Sequence, residues 1–352
     1  MRPTDAGVIA RYRERLPIPH NASAVSLNEG NTPLVRLNSL SDDQREIEIF
    51  AKVEGANPTG SFKDRGMTVA ISMAAHEGSE AVICASTGNT SAAAAAYAAR
   101  AGMKAIVIIP DGQIALGKLA QAMMHGARVI QIAGNFDQGM EIVKAISQKA
   151  PVTLVNSVNP FRLHGQKTAA FEIVDTLLRC PDYHFLPVGN AGNISAYWMG
   201  YSEYLETGDL ARRPVMVGCQ ASGAAPFVQG TPIERPDTIA TAIRIGKPQS
   251  WALAQAACEE SAGWFLGRSD EEILAAQRHL AQNEGIFCEP ASATSVAGVM
   301  LALGESAIPN GSCVVCTLTG QGLKDPDTAI SQCPEPQRVS PQIDAVHDAI
   351  LG

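Results

Sequence analysis

Short apolar runs alternate with longer helix-forming stretches along most of the chain. Runs at 81–86, 104–110, 128–133, 153–158, 183–188, 214–220 and 313–318 predict strands. The stretches at 90–101, 117–126, 136–149, 166–178, 194–206 and 270–283 predict helices. Fully apolar strands separated by helices imply parallel sheets covered on both faces. Ile47, Ile49, Ala51 and Val53 alternate with more polar neighbours, the pattern of a half-exposed or edge strand. There are too many units for one compact sheet. The expected architecture is therefore α/β, with two parallel-sheet domains and a cleft between them. The four successive strands between Ala81 and Val158 predict a small domain over 56–157. A larger, discontinuous domain takes 1–55 and 158–352, with the N-terminal segment returning to it. The run Ala92–Ala96 reads as a close-packed helix, alanine being the best helix former.

Composition narrows the possible functions. Of 352 residues, 46% are hydrophobic and 18% charged, enough apolar content for a sizeable core. The formal charge of -8 lacks the basic footprint of a nucleic-acid binder. Eight cysteines in so long a chain do not make a disulfide framework. Cys313 and Cys316 form a C-x-x-C, but both fall in an apolar strand, where alternation puts them on opposite faces. No second pair at zinc-site spacing accompanies them, so no metal site is expected. No apolar run is long enough to cross a membrane, and Met1–Leu16 carries four arginines without an apolar signal core. A cytoplasmic protein is the expectation.

Two strand-to-helix junctions carry candidate chemistry: Ser86-Thr87-Gly88-Asn89-Thr90-Ser91 and Gly189-Asn190-Ala191-Gly192-Asn193. A helix start presents unpaired N–H groups and partial positive charge, and small residues let an anion approach them. Either junction alone could be an N-cap and tight turn; two in one chain favour anion binding. Neither matches the dinucleotide or P-loop fingerprint. A third segment, Asn57-Pro58-Thr59-Gly60-Ser61-Phe62-Lys63-Asp64-Arg65-Gly66, sets one lysine between an aromatic residue and an acid. By composition Lys63 could be a solvated surface lysine. Buried beside two anion sites, it would suit a Schiff base with a phosphate-bearing aldehyde.

Asn57 to Arg65 resembles the lysine motif of the fold type II pyridoxal-phosphate enzymes, and within them the short-chain threonine synthases. Leu27-Asn28-Glu29-Gly30-Asn31-Thr32-Pro33-Leu34 is similar to the family's E-G-x-T-P-L signature. Ser86–Ser91 resembles its substrate-carboxylate loop, and Gly189–Asn193 its phosphate loop. Asn156-Ser157-Val158-Asn159-Pro160-Phe161-Arg162 and Leu318-Thr319-Gly320-Gln321-Gly322-Leu323-Lys324-Asp325 also resemble family segments, all in the family's order. The resemblance spans about residues 20 to 330 and implies a tryptophan synthase β-like fold.

The resemblance implies the following roles. Lys63 would carry pyridoxal 5'-phosphate and later shuttle protons, with Phe62 beside it. Asn89 would bond the cofactor's ring hydroxyl. Gly189, Asn190, Ala191, Gly192 and Asn193 would wrap its phosphate, and Thr319 would face its pyridine nitrogen. Ser86, Thr87 and Asn89 would bind the substrate carboxylate. Thr90, Asn156 and Arg162 would take the substrate phosphate, Arg162 through its planar fork of donors. Lys118 is a further candidate there, or a solvated helix lysine. The implied reaction turns O-phospho-L-homoserine and water into L-threonine and phosphate, in a homodimer. Only 26 residues precede Leu27, so the effector-binding N-terminal extension of longer members, and control by S-adenosylmethionine, are not expected. A serine or threonine dehydratase is the alternative, though such enzymes usually carry a histidine where Thr90 stands and a serine where Thr319 stands. A cysteine-synthase-like enzyme would have a phosphate loop richer in Gly and Thr. A pure binding protein would need no lysine nucleophile. His164 could act behind the phosphate segment or simply pack; Glu289 and Pro290 resemble a segment near the cofactor, with no role assigned.

Overall fold

A computed structural model describes residues 7–111, 116–134, 136–157 and 159–351. Among the described residues ten strands run in chain order: β1 Leu34–Arg36, β2 Glu48–Val53, β3 Ala81–Ala85, β4 Lys104–Pro110, β5 Arg128–Ile132, β6 Val152–Leu154, β7 Tyr183–Pro187, β8 Val215–Ala221, β9 Trp264–Arg268 and β10 Cys313–Leu318. They form a six-stranded sheet, β1-β2-β10-β7-β8-β9, and a four-stranded sheet, β5-β4-β3-β6. Only the β1–β2 pair is antiparallel among these ladders.

The expected α/β architecture is present, with local differences. β2 follows the expected alternation as far as Ala51, with Ile49 and Ala51 fully buried, but Lys52 is buried as well and the strand is no edge: β1 pairs with one side and β10 with the other. The short β1, which a three-residue apolar signal does not announce, takes the edge. β6 ends at Leu154, earlier than the apolar run suggests, because Asn159 Nδ2 takes the Leu154 carbonyl at 2.9 Å and turns the chain. That turn starts the helix Pro160–Leu177 six residues before the periodicity shows it. Asn159 caps it by accepting from Phe161 N at 3.0 Å, and Pro160 fills the first position.

Helices Pro160–Leu177 and Gly192–Glu206 cover one face of the large sheet, burying Phe171, Tyr197, Tyr201 and Tyr204. Helix Pro290–Gly304 covers the other through Ala293, Val296, Ala297 and Val299. On the small sheet, the alanine helix Asn89–Ala101 packs closely enough to bury Ala93 through Ala98. The helix Lys63–His76 joins both bodies. Its Met67, Ala70, Ile71 and Ala74 enter the small-sheet core, while Val69 and Met73 enter the large one. Every residue from Asp64 to Ala74 is buried. It crosses Pro160–Leu177 at backbone contact: a Cβ on Gly165 would lie 1.9 Å from the Arg65 carbonyl, and one on Gly66 2.8 Å from that of Arg162. Only glycine permits that approach, and it brings Arg162 beside the start of the lysine helix.

Candidate active site

The motif segments leave the carboxyl ends of parallel strands, where open α/β sheets bind ligands. β2 leads to the lysine segment, β3 to Ser86–Ser91, β7 to Gly189–Asn193 and β10 to Thr319. Since β2, β10 and β7 are neighbours, three of these ends lie side by side. The lysine segment is then laced to the loop after β10: Phe62 N donates to the Thr319 carbonyl at 2.9 Å, and Gln321 N to that of Gly60 at 3.0 Å.

Lys63 opens its helix, with its Nζ 4.2 Å from the centre of the Phe62 ring. The residue is partly exposed along its chain, but its amine lies deep among protein atoms. That burial, with the Arg162 charge, pushes the amine down to about 7, while Glu289 opposes the shift. A large fraction of Lys63 is therefore neutral and nucleophilic near neutrality. The adjacent Asp64 points elsewhere, accepting from Thr59 N at 2.7 Å and from the Thr59 hydroxyl. Burial pushes its carboxyl up to about 7.

Arg65 anchors this first helical turn. It bonds Glu54 through Nε at 2.7 Å and Glu172 through Nη2 at 2.6 Å, while Lys52 reaches Glu172 at 2.7 Å. All four side chains are buried. Burial alone would raise Glu172, but Arg65 and Lys52 hold it well below the usual carboxylate range. Such a network is a weak source of net stability, yet breaking it strands a buried charge at a cost of roughly 3–5 kcal/mol. It ties the lysine helix to β2 and to Pro160–Leu177.

Ser86, Thr87, Gly88 and Asn89 are partly exposed at the start of the alanine helix, and Thr90 is buried. Asn89 Nδ2 donates to Glu289, whose carboxyl is pushed up by burial and drawn back by Asn89 and the Lys324 and Lys63 charges. Glu289 is the functional candidate that sequence reasoning left without a role. An acid just before a proline at a helix start reads as an ordinary N-terminal residue, and nothing in the sequence shows that it faces Asn89.

Around β7's exit, a Cβ on Gly189 would meet Ile243 Cα at 2.8 Å. Asn190 commits its side chain to Gln249, accepting from its N–H at 2.8 Å. Ala191 holds φ at 66°, and Gly192 opens the helix. Asn193 is buried, and both its side-chain polar atoms lack a partner among the described residues. A loop of small residues, a helix N-terminus and an orphaned amide together make a cradle suited to a phosphate. With the depressed amine of Lys63, these residues fit pyridoxal phosphate.

Arg162 is 1% exposed. Its Nη1 donates to the Val155 carbonyl at 3.2 Å, and its Nε meets no acceptor among the described residues. Burial pushes the guanidinium down to about 10. A buried cation with an orphaned donor can receive an anion. Asn156 is otherwise engaged: its amide accepts from Ala85 N and donates to Ala85 O, both at 2.9 Å. Lys118 lies on helix Leu116–Met124, and its side chain is outside the described residues. Thr319 is buried, its hydroxyl 2.9 Å from that of Ser292. His164 has no partner for its Nδ1 among the described residues and is shifted down by burial and by Lys167. Among the described residues, no group of three or more His, Cys, Asp or Glu could hold a metal, and no helix is long and apolar enough to cross a membrane.

The chain is similar to known proteins over most of its length. The family described as pyridoxal-phosphate dependent enzyme matches residues 25–320. A threonine synthase of Mycobacterium tuberculosis (strain ATCC 25618 / H37Rv) is 59% identical over 329 residues, covering 93% of this chain and 91% of that protein. One of Synechocystis sp. is 58% identical over 325 residues, covering 92% and 85%. The structure of maize serine racemase superposes with a TM-score of 0.75 at 20% identity, covering 93% of this chain and 97% of the other. That last likeness is one of fold. Together with the residues just described, these relationships establish that the chain belongs to the pyridoxal-phosphate dependent enzymes and, within them, to the threonine synthase family.

Proposed function

We propose that the chain converts O-phospho-L-homoserine and water to L-threonine and inorganic phosphate, using pyridoxal phosphate on Lys63. The observation that carries this is the pairing of Lys63, a buried amine pushed down to about 7, with Arg162, a buried cation whose Nε lacks a partner among the described residues. The threonine synthase relatives support it.

Pyridoxal phosphate supplies a carbonyl for the lysine and an electron sink for the substrate carbons. Lys63 Nζ, kept neutral by burial, removes and returns protons at those carbons. Asn89 and Thr319 would fix the ring from its hydroxyl and nitrogen sides, beside Phe62. Gly189, Asn190, Ala191, Gly192 and Asn193 would hold its phosphate, Asn190 through its backbone since Gln249 takes its side chain. Ser86, Thr87 and Asn89, at a helix start, would receive the substrate carboxylate. Arg162, with Thr90, would hold the γ-phosphate until the bond from the γ-carbon to oxygen breaks and phosphate departs; the hydroxyl of water ends on the β-carbon.

A homodimer in the cytoplasm belongs to the same reading. So does the division into a domain of 56–157 and a domain of 1–55 with 158–352, supported by the separate cores under the two sheets. The deciding assay supplies phosphohomoserine or L-threonine to the holoenzyme and measures phosphate and 2-oxo acid. Phosphate release with threonine formation is expected; 2-oxo acid from L-threonine as the main activity would install the dehydratase instead. Lys63→Ala should lose cofactor absorbance and turnover together.

A further inference from the structure

Thr319 and Ser292 form a buried hydroxyl pair in which either oxygen can be the donor. Ser292 stands in the first turn of helix Pro290–Gly304 and is fully buried. Its Oγ has three polar neighbours: Gly320 N at 2.8 Å, Thr319 Oγ1 at 2.9 Å and the Gly320 carbonyl at 3.1 Å. A backbone N–H can only donate, so Ser292 accepts from Gly320. A hydroxyl has a single hydrogen to give. Two acceptors compete for it. The Gly320 carbonyl is the farther one and already receives the Glu289 N–H at 3.1 Å. Thr319 Oγ1 is nearer, and Ser292 is its described side-chain partner. The shorter distance and the donor already on the carbonyl favour Thr319 as the acceptor of the Ser292 hydrogen.

This assignment has a chemical consequence. A Thr319 hydroxyl that accepts from Ser292 keeps its own hydrogen for the remaining direction. In the opposite arrangement Thr319 would give its hydrogen to Ser292 and face the cleft as an acceptor only. A donor stabilises an unprotonated pyridine nitrogen, and an acceptor stabilises a protonated one. We infer that Ser292 is a positioning residue that sets Thr319 as a hydrogen-bond donor and so keeps the cofactor's ring nitrogen unprotonated. The inference rests on the reading above that Thr319 faces that nitrogen. Ser292 would then moderate the electron sink through Thr319.

The test is ¹⁵N magnetic resonance of the holoenzyme reconstituted with pyridoxal phosphate labelled at the ring nitrogen. The unsubstituted enzyme should show an unprotonated nitrogen whose resonance does not move with pH. In Ser292→Ala, Thr319 is released to accept. The resonance should shift upfield and acquire a pH dependence. Ser292→Cys keeps a weaker donor and should give a smaller shift in the same direction, which covers the case in which the alanine variant does not fold. A loss of packing alone would lower the melting temperature without protonating the ring nitrogen. If both Ser292 variants match the parent while Thr319→Val moves the resonance, the role of Ser292 falls and the placement of Thr319 stands. If Thr319→Val leaves the resonance in place as well, Thr319 does not face the nitrogen, and the reading of the cleft fails along with the inference.

Discussion

Glu289 accepts a forked hydrogen bond from Asn89, whose Nδ2 lies 3.1 and 3.3 Å from the two carboxylate oxygens. A carboxylate can only accept, so it fixes which end of the Asn89 amide faces it. The second N–H of that nitrogen is left for a partner in the cleft. The pair also spans the two bodies, since Asn89 leaves the small sheet and Glu289 precedes a helix of the large one.

Glu289→Gln should act on both Asn89 and Lys63. A neutral amide no longer dictates the Asn89 orientation, and losing a charge-assisted bond of about 1.5–3 kcal/mol should cost about tenfold to a hundredfold in kcat/KM. The carboxylate also holds the Lys63 amine up. Without it that amine should titrate below about 7, so cofactor-free protein should recapture pyridoxal phosphate from a lower pH onward. The check is the pH midpoint of the reloading rate in parent and variant. An unmoved midpoint would show that Glu289 does not act on Lys63.

Lys63 should also leave a mark on stability. In the unfolded chain its amine titrates near 10.5, and in the folded cofactor-free protein near 7. Between those values the unfolded state holds a proton that the folded state has released. Stability of the cofactor-free form therefore rises with pH across that window, and the full burial penalty persists below it. Lys63→Met removes the penalty. The variant should be the more stable at pH 7 and below, with the difference shrinking as pH approaches 10.5. Denaturant melts of both proteins at several pH values measure this. A constant difference would mean that the amine titrates normally when folded.

Much of this architecture is legible because apolar runs and capping signals are local. β4 and β10 follow their apolar runs residue for residue. The segments bearing Lys63, Asn89, Gly189 and Thr319 are recognisable by resemblance, since backbone turns there demand particular residues. What stays hidden is pairwise and distant. The bond between Asn89 and Glu289 joins residues 200 positions apart, and that between Arg65 and Glu172 residues 107 apart. β9 goes unseen because only its first three residues, Trp264, Phe265 and Leu266, form an apolar run. The helix from Lys63 is obscured by the charged and polar side chains of its first turns, which are buried through partners elsewhere in the chain.

Asn156→Ala should behave as a structural lesion. Its amide makes two bonds to the backbone of Ala85, at the end of β3 and next to Ser86. Removing them leaves a buried N–H and carbonyl unpaired, at a cost of roughly 1–3 kcal/mol. The melting temperature should fall, and phosphohomoserine and L-threonine should lose efficiency in similar proportion as the carboxylate loop loosens. Thermal melts together with kcat/KM for both substrates report this. A loss confined to phosphohomoserine at unchanged melting temperature would instead place Asn156 on the substrate phosphate.

Arg162→Ala should give the opposite signature. The guanidinium is buried, donates to Val155 O, and has an Nε without an acceptor among the described residues. It carries its positive charge at neutral pH even though burial pushes it down to about 10. An uncompensated buried cation disfavours the folded state until an anion neutralises it. The γ-phosphate of the substrate is such an anion, whereas the cofactor phosphate has its own cradle at Gly189–Asn193. Losing the contact should cost roughly 2–5 kcal/mol, or about thirtyfold to several thousandfold in kcat/KM for phosphohomoserine. Any slow elimination from L-threonine should be nearly spared, because that substrate brings no phosphate. The same substitution removes a positive charge that holds the Lys63 amine down. Lys63 in the cofactor-free variant should therefore titrate higher than about 7, and cofactor recapture should need a higher pH. Steady-state kinetics on both substrates and the pH dependence of reloading test the two halves separately. Equal losses on both substrates would move the phosphate site away from Arg162, and an unmoved reloading profile would show that its charge does not reach Lys63.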